Sequence, residues 1–284
     1  MSIVVTAATG HLGRLIVEAL LRDGTPADQI VAGGRDLAKI ADLADRGVTV
    51  TRIDYDDPES MATAFAGADS LMLVSSGVPG NRVAEHSAAI DAAKAAGITH
   101  IVYTSAPAAT TSALALAPEH KATEEYLRAA GIPFTILRNS WYTENYTSTA
   151  QQAIESGVLA ASVEDGRVAS ASRADYADAA AVVLTRSGHE NATYELSGDT
   201  AWDFTELAAV ISDISGTPVT YERLSPGEYR ASLVAAGVPE GSADFVVSLD
   251  CNIRDGLLAV TTGDLSRLIG RPTTPLREGL AATL

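Results

Sequence analysis

The sequence contains little cysteine and no long hydrophobic run, and each shortage excludes a class of protein. Cys251 is the single cysteine among 284 residues, so the chain has no internal disulfide and no multi-cysteine zinc or iron–sulfur site. Because a chain without disulfides suits a reducing compartment, we expect a cytoplasmic location. No stretch approaches the roughly 18 apolar residues of a membrane span. The apolar run after Met1 is too short for a signal peptide, so no targeting segment is predicted.

Basic residues are also scarce. The chain has 20 Lys and Arg against 36 Asp and Glu, which gives a formal net charge of −16. An acidic surface repels nucleic-acid phosphates and anionic lipids, so we expect neither nucleic acid nor a membrane as a partner. Hydrophobic residues make up 46% of the chain and charged residues 20%, which is the composition of a globular protein with an ample core.

Short apolar runs alternate with amphipathic helical patterns over the first 140 residues. Strands are predicted at 3–5, 29–32, 48–50, 70–74, 100–103 and 134–137. Helices are predicted between them, among them 37–46, about 81–96 and about 119–130. The run at 70–74 is nearly all apolar, which is typical of a strand buried on both faces in a parallel sheet. The alternation predicts an α/β fold with a doubly wound parallel Rossmann sheet.

The second half is less regular. Helices are predicted at 172–185 and 203–214, strands at 194–196 and 219–221, and two or three further helices at 225–284. We therefore predict two domains. Residues 1–140, with a return segment near 170–197, form an NAD(P)-binding Rossmann domain. Residues 141–284 form mainly a smaller C-terminal α+β lobe on the substrate side.

A glycine-containing turn joins the first strand to the first helix, with the sequence Thr6-Ala7-Ala8-Thr9-Gly10-His11-Leu12-Gly13. Gly10 allows the backbone to approach a pyrophosphate, Gly13 allows close packing of the helix, and the helix N-terminus offers N–H donors. Ala7 occupies the place of a first glycine, and it fits there if its φ is negative. The turn predicts a dinucleotide site, with a plain strand–helix turn as the alternative.

Arg35 follows the second strand, 22 residues after Gly13. At this position an arginine selects the 2′-phosphate of NADP and an acidic residue selects the 2′-hydroxyl of NAD. We therefore predict NADPH as the cofactor, while the neighbouring Asp36 leaves NAD as a less favoured possibility. The alternative is a solvated arginine in a loop.

The acid–base pair of ordinary short-chain dehydrogenases, Tyr-x-x-x-Lys, is missing. Lys121 is present, but Ala117 stands four residues before it. This argues against alcohol–ketone chemistry, in which a side chain must protonate an alkoxide. No metal site is predicted. His120, on the fifth predicted helix beside the expected cleft, is the one histidine that could have a role, but a helix-surface histidine without a role is favoured.

Aromatic residues are 5% of the chain, yet Trp141, Tyr142 and Tyr146 cluster directly after the sixth strand. Such a segment could form a wall for a flat ligand or a nicotinamide ring, and Trp141 and Tyr142 are the candidate catalytic residues. The alternative is an aromatic hinge between lobes.

Several motifs together resemble the NmrA-like atypical short-chain dehydrogenases/reductases, and within them the bacterial NAD(P)H:quinone oxidoreductase type 2 group, with the triphenylmethane reductases as near relatives. The motifs that carry the resemblance are Ala8-Thr9-Gly10-His11-Leu12-Gly13, Gly34-Arg35-Asp36, Asp54-Tyr55-Asp56-Asp57, Tyr103-Thr104-Ser105, Glu119-His120 with Thr123-Glu124, the segment from Leu137 to Tyr146, Ser172-Arg173-Ala174-Asp175-Tyr176, and the segment from Leu268 to Thr274. The resemblance covers essentially the whole chain.

The resemblance implies an NADPH site and names the residues that form it. These are Ala7, Ala8, Thr9, Gly10, His11, Leu12, Arg35, Ser75, Ser76, Asn139, Ser140, Trp141, Tyr142, Thr143, Glu144 and Arg173. The chain departs from the family pattern at Ala7 and at Ser140, where glycine is usual.

The leading hypothesis is an NADPH-dependent oxidoreductase that passes hydride to a quinone-like conjugated acceptor. Such an acceptor stabilises the incoming charge itself, so solvent can supply the proton and no tyrosine is needed. The alternative is a non-catalytic NADP(H)-sensing regulator that acts through a protein partner. A homodimer is a possible assembly for either function.

Overall fold

The computed structural model describes residues 1–75 and 80–284, and its contacts divide the chain into two compact units. The first unit comprises Met1–Thr110, Leu116–Asn139 and Arg173–Leu196. The second unit comprises Thr111–Ala115, Ser140–Ser172 and Ser197–Leu284.

The first unit contains a seven-stranded parallel sheet with the strand order β3-β2-β1-β4-β5-β6-β9. Numbered along the whole chain, its strands are β1 (Ile3–Val5), β2 (Ile30–Gly34), β3 (Thr49–Arg52), β4 (Ser70–Leu73), β5 (His100–Ser105), β6 (Phe134–Asn139) and β9 (Ala192–Leu196). All four residues of β4 are buried, as the apolar run predicted. The predicted doubly wound parallel fold is confirmed.

Six helices accompany this sheet in the described part of the unit. They are α1 (His11–Arg22), α2 (Ala41–Asp45), α3 (Pro58–Phe65), α4 (Arg82–Ala95), α5 (Ala117–Ala129) and α7 (Arg173–Thr185). The face of α1 with Ile16 and Leu20 is buried, and α1 packs against α7. A single helix at 37–46 was predicted, but the structure has a 3₁₀ turn at Leu37–Ile40 followed by the short α2.

The second unit is built from short strands and helices. Its strands are β7 (Val158–Ala161), β8 (Arg167–Val168), β10 (Trp202–Asp203) and β11 (Thr220–Arg223). Its helices are α6 (Thr147–Ser156), α8 (Phe204–Ser215), α9 (Pro226–Ala235), α10 (Glu240–Arg254), α11 (Asp264–Ile269) and α12 (Leu276–Ala281). The strands pair as β7–β11, parallel, and β8–β10, antiparallel. The last sixty or so residues hold four helices rather than the two or three predicted.

Across the described residues, none of the helices combines the length and the apolar character that a bilayer crossing requires.

Candidate functional site

The turn between β1 and α1 presents a helix N-terminus that the protein leaves uncapped. Gly10 is the N-cap residue, with extended backbone angles (φ −97°, ψ 171°), and no side chain caps the helix. The first turn of α1 contains no acidic residue, although the chain carries a net charge of −16. The first N–H groups of a helix lack partners within the helix, and its dipole is positive there, so this terminus suits an anion such as a phosphate.

Close packing fixes the turn against the neighbouring backbone. A Cβ added to Gly13 would lie 2.3 Å from the carbonyl oxygen of Ala7 and 2.9 Å from the Cα of Ala8. A Cβ added to Gly34, at the end of β2, would lie 2.5 Å from the Thr9 hydroxyl oxygen. Backbone atoms therefore require glycine at position 13, where the predicted close approach is present, whereas a side chain at position 34 would displace the Thr9 side chain.

Ala7 has a φ of +49°, in the left-handed region that favours glycine. The condition under which an alanine fits here without strain, a negative φ, is therefore not met. The turn keeps the backbone shape of a glycine-initiated loop although its first residue carries a methyl group. The N–H of Gly10 donates to the carbonyl of Ala7 at 2.9 Å, which closes the turn.

Arg35 lies exposed immediately after β2. It forms no salt bridge with any residue in the described part of the chain, whereas the adjacent Asp36 pairs with Lys39 at 3.8 Å. The guanidinium is thus available for an anionic ligand, and its planar group of donors matches a phosphate.

One hydrogen bond joins the ends of β4 and β5, and another joins β5 to α5. The N–H of Ser75 donates to the Thr104 hydroxyl at 2.8 Å, and the Ser105 hydroxyl donates to a carboxylate oxygen of Glu124 at 2.6 Å. Ser76, another predicted cofactor residue, lies outside the described residues.

A buried ionic network holds the end of β6 in place. Glu124 is fully buried and receives two hydrogen bonds from Arg138, from Nε at 2.8 Å and from Nη2 at 2.6 Å. A third bond at 2.7 Å joins Arg138 to Glu195 on β9. The carboxylate partners, Glu124 foremost, raise the pKa of Arg138 above its ordinary value. The network fixes the residue directly before Asn139, and no local sequence pattern predicts it.

His120 is buried rather than on the helix surface, with 6% of it exposed, so the expectation for this residue is wrong. Its Nδ1 lies 2.8 Å from the Tyr103 hydroxyl. His86 on α4 is fully buried and lies 3.2 Å from the Thr123 hydroxyl. Burial lowers the pKa of each histidine to about 3, so both are neutral at physiological pH.

The aromatic segment after β6 folds within the second unit. Trp141 and Tyr142 are half-buried, and a 3₁₀ turn spans Thr143–Tyr146. The Ala171 backbone forms hydrogen bonds on both sides of Tyr142. Its N–H donates to the Trp141 carbonyl at 3.1 Å, and its carbonyl accepts from the Thr143 N–H at 3.0 Å. The two rings therefore stand on a fixed backbone.

The remaining predicted site residues differ in exposure. Asn139 and Ser140 are buried, and Glu144 and Arg173 are half-buried. Thr143 is 1% exposed, and its hydroxyl lies 2.9 Å from that of Ser170. The cofactor roles given to these residues stay predictions.

The sheet and the turn at α1 are those of a Rossmann-type dinucleotide-binding fold. The chain belongs to the NmrA-like family, whose profile matches residues 1–248. This confirms the family that the sequence motifs indicated.

Three comparisons are informative within this family. Quinone oxidoreductase 2 of Escherichia coli is 46% identical over 279 residues, covering 98% of this chain and 97% of that protein. The crystal structure of the NADPH-dependent E. coli quinone oxidoreductase complexed with NADPH superimposes with a TM-score of 0.94 over 99% of both chains, at 46% identity. The Citrobacter sp. triphenylmethane reductase complexed with NADP(H) superimposes with a TM-score of 0.94 over the full length of both chains, at 40% identity.

Proposed function

We propose that this protein is an NADPH-dependent oxidoreductase that transfers hydride to a quinone-like conjugated acceptor. Likeness along the whole chain to an E. coli enzyme of that activity supports the reaction type. The observation that carries the proposal for the cofactor is Arg35, an exposed cation without an ion-pair partner in the described structure, next to β2.

The residues present fit NADPH. The uncapped N-terminus of α1 would hold the pyrophosphate, Gly13 and Gly34 keep the turn compact, and Arg35 would hold the 2′-phosphate. When bound, the cofactor supplies the hydride. The protein binds and orients the reactants.

The acceptor would stack on Trp141 and Tyr142. Their backbone is fixed by Ala171, so the rings offer a preorganised flat surface, and offset stacking adds about 0.5–1.5 kcal/mol beyond burial. A quinone carries the incoming charge on its own oxygens, so the proton can come from water. This agrees with Ala117 in place of the missing tyrosine.

We also propose a cytoplasmic location, which the single, unpaired Cys251 supports. The homodimer stays a prediction.

The test is the consumption of NADPH by purified protein with a panel of quinones, followed by the absorbance of NADPH. We expect saturable oxidation. Lys121→Ala serves as a control, because Lys121 is exposed and paired with Glu125 at 3.9 Å, and its turnover should stay within about tenfold of the wild type. If calorimetry shows NADPH binding but no quinone oxidises the cofactor, the enzyme proposal fails and the NADP(H)-sensing regulator takes its place.

A further inference from the structure

Arg14, one turn into α1, connects that helix to the segment that follows Arg35. Its N–H donates to the carbonyl of the N-cap residue Gly10 at 3.1 Å, so its backbone belongs to the helix end assigned to the pyrophosphate. Its Nη1 donates to the Lys39 carbonyl at 3.1 Å and to Asp42 at 2.9 Å, and its Nη2 donates to the second carboxylate oxygen of Asp42. One guanidinium therefore holds both the 3₁₀ turn and the helix α2.

A second ion pair lies beside the first. Arg46, at the C-terminal end of α2, donates to Glu18 at 2.7 Å, and Glu18 lies 3.5 Å from the Arg14 guanidinium. We call Arg14, Glu18, Asp42 and Arg46 the α1–α2 clamp. Their side chains are between 31% and 54% exposed. Exposed ion pairs contribute little one at a time, whereas a network with a bidentate arginine–carboxylate contact holds a defined geometry.

The stretch 35–39 is anchored at its two ends. Its own residues are exposed or half-buried. At one end it follows Gly34, the last residue of β2. At the other end the Ile40 side chain is buried, and Arg14 holds the Lys39 carbonyl. The position of this stretch relative to α1, and of the guanidinium that it carries, therefore depends on the clamp.

The clamp lies between the two phosphate sites of the bound cofactor. The pyrophosphate is assigned to the N-terminus of α1 and the 2′-phosphate to Arg35. A contact that fixes the Arg35 stretch to α1 also fixes the spacing of these two sites, which lowers the cost of ordering the stretch when NADPH binds. NADH has no 2′-phosphate, so the same contact should not affect its binding.

We propose that the α1–α2 clamp determines the preference for NADPH over NADH. Arg14 and Asp42 hold Arg35 at the distance from α1 that the 2′-phosphate requires. They are positioning residues, because they act on the cofactor through Arg35. The proposal rests on the proposed function, since it concerns the cofactor of that reaction.

Asp42→Ala tests the clamp, because the clamp and simple electrostatics predict opposite signs. The variant removes a negative charge, so an electrostatic effect alone would strengthen the binding of an anionic cofactor. Loss of the clamp should instead weaken NADPH binding by about fivefold and leave NADH binding within about twofold of the wild type. Isothermal calorimetry with each cofactor measures both affinities.

Asp45→Ala is the matched control. Asp45 is exposed on the same short helix, and its substitution removes the same charge without breaking a contact of the clamp. Its ratio of NADPH to NADH affinity should stay within about twofold of the wild-type ratio. Arg14→Lys keeps the positive charge but cannot form the bidentate contact, so it should weaken NADPH binding by about threefold. This variant also serves if Asp42→Ala does not fold.

A combination with Arg35→Ala shows whether the clamp acts through Arg35. In that background Asp42→Ala should change the NADPH affinity by less than about twofold, because the guanidinium that the clamp positions is gone. An equal loss of NADPH affinity in both backgrounds, an equal loss for NADH, or stronger NADPH binding by Asp42→Ala would overturn the proposal.

Failure of the clamp and failure of the reductase proposal are distinguishable. Cofactor binding needs no acceptor, so calorimetry tests the clamp even if no quinone oxidises NADPH, and that result would refute the reductase alone. Wild-type protein that binds NADPH and NADH with equal affinity would overturn the clamp. Quinone turnover would then still decide the reductase proposal.

Discussion

Arg35 shows how much a single side chain contributes when its surroundings leave it without a partner. Most basic side chains of this acidic chain are paired with carboxylates, as Arg52 is with Asp54 at 2.5 Å. Arg35 has no such pair in the described structure, so binding a phosphate breaks no existing ion pair. The sequence predicted the position of Arg35 from its spacing to Gly13, but its lack of a partner depends on the folded chain.

We expect Arg35 to distinguish NADPH from NADH. Arg35→Ala should weaken NADPH binding by about ten- to a hundredfold, since a charge-assisted contact contributes roughly 1.5–3 kcal/mol, and should leave NADH binding nearly unchanged. Isothermal calorimetry with each cofactor measures both affinities. Arg52→Ala, at the end of the neighbouring strand, is the matched control and should affect neither. Equal losses for the two cofactors would contradict the assignment of Arg35 to the 2′-phosphate.

Ala7 carries the second residue-scale prediction. Because an alanine with φ of +49° is in the left-handed region, Ala7→Gly should raise the free energy of unfolding by about 1 kcal/mol. Ala8→Gly is the control, because Ala8 is fully buried and has no positive φ, and this variant should lower the stability. Urea denaturation measures both. Destabilisation of similar size in the two variants would show that the Ala7 backbone is not strained.

At the scale of elements, α5 explains why His120 was expected on the surface. Its buried positions follow helical spacing, but most of them are polar. They are Ala117, His120, Thr123, Glu124 and Leu127. Hydrophobic periodicity cannot identify such a face, because its buried side chains form hydrogen bonds and ion pairs rather than apolar contacts. The same limit concealed the Glu124–Arg138 pair.

The two buried histidines give the element-scale prediction, which concerns pH. The pKa of His86 and of His120 is about 3 in the folded protein, against 6.5 for an ordinary histidine. Between these values the unfolded chain binds more protons, so their stabilising contribution is complete above pH 6.5 and is lost as the pH falls towards 3. His120→Gln should reduce the slope of unfolding free energy against pH by about 1.4 kcal/mol per pH unit in this window.

Urea denaturation at several pH values between 4 and 7 measures that slope. The exposed His11 provides the control, and His11→Gln should leave the slope as in the wild type. A His120→Gln variant with the wild-type slope would mean that His120 takes up a proton within the folded protein.

The sequence predicted the strands of the parallel sheet well and the second unit poorly, for a physical reason. Each strand of the first 140 residues is a local apolar pattern between turns, so it can be predicted from neighbouring residues. The strands β8 and β10 are two residues long and depend on a partner far along the chain, as in the pairing of Trp202 with Val168. Such pairing leaves no local periodicity, and α6 likewise went unpredicted.

At the scale of the whole molecule, charge is the property that the sequence determines most directly. A net charge of −16 produces an electrostatic field that repels anionic ligands. The uncapped N-terminus of α1 and the Arg35 guanidinium provide local positive potential against that field. The composition therefore argues against nucleic acids and anionic membranes as partners. An anionic cofactor can still bind, because the N–H groups at the start of α1 and the Arg35 guanidinium can contact its phosphates. The sequence could indicate these groups only as candidates.

The discontinuous first unit has a consequence for synthesis of the protein. Two of its elements, helix α7 and edge strand β9, lie late in the chain, at Arg173–Leu196. Helix α7 packs against α1, and the Arg22–Asp178 ion pair at 2.5 Å joins the two helices. When the ribosome has released the first 139 residues, β6 has no partner on its outer edge and one face of α1 is uncovered. The nascent chain must therefore hold an incomplete sheet until residue 196 emerges. A stop codon shortly after β6 would leave an unpaired strand edge prone to aggregation rather than a separate nucleotide-binding domain.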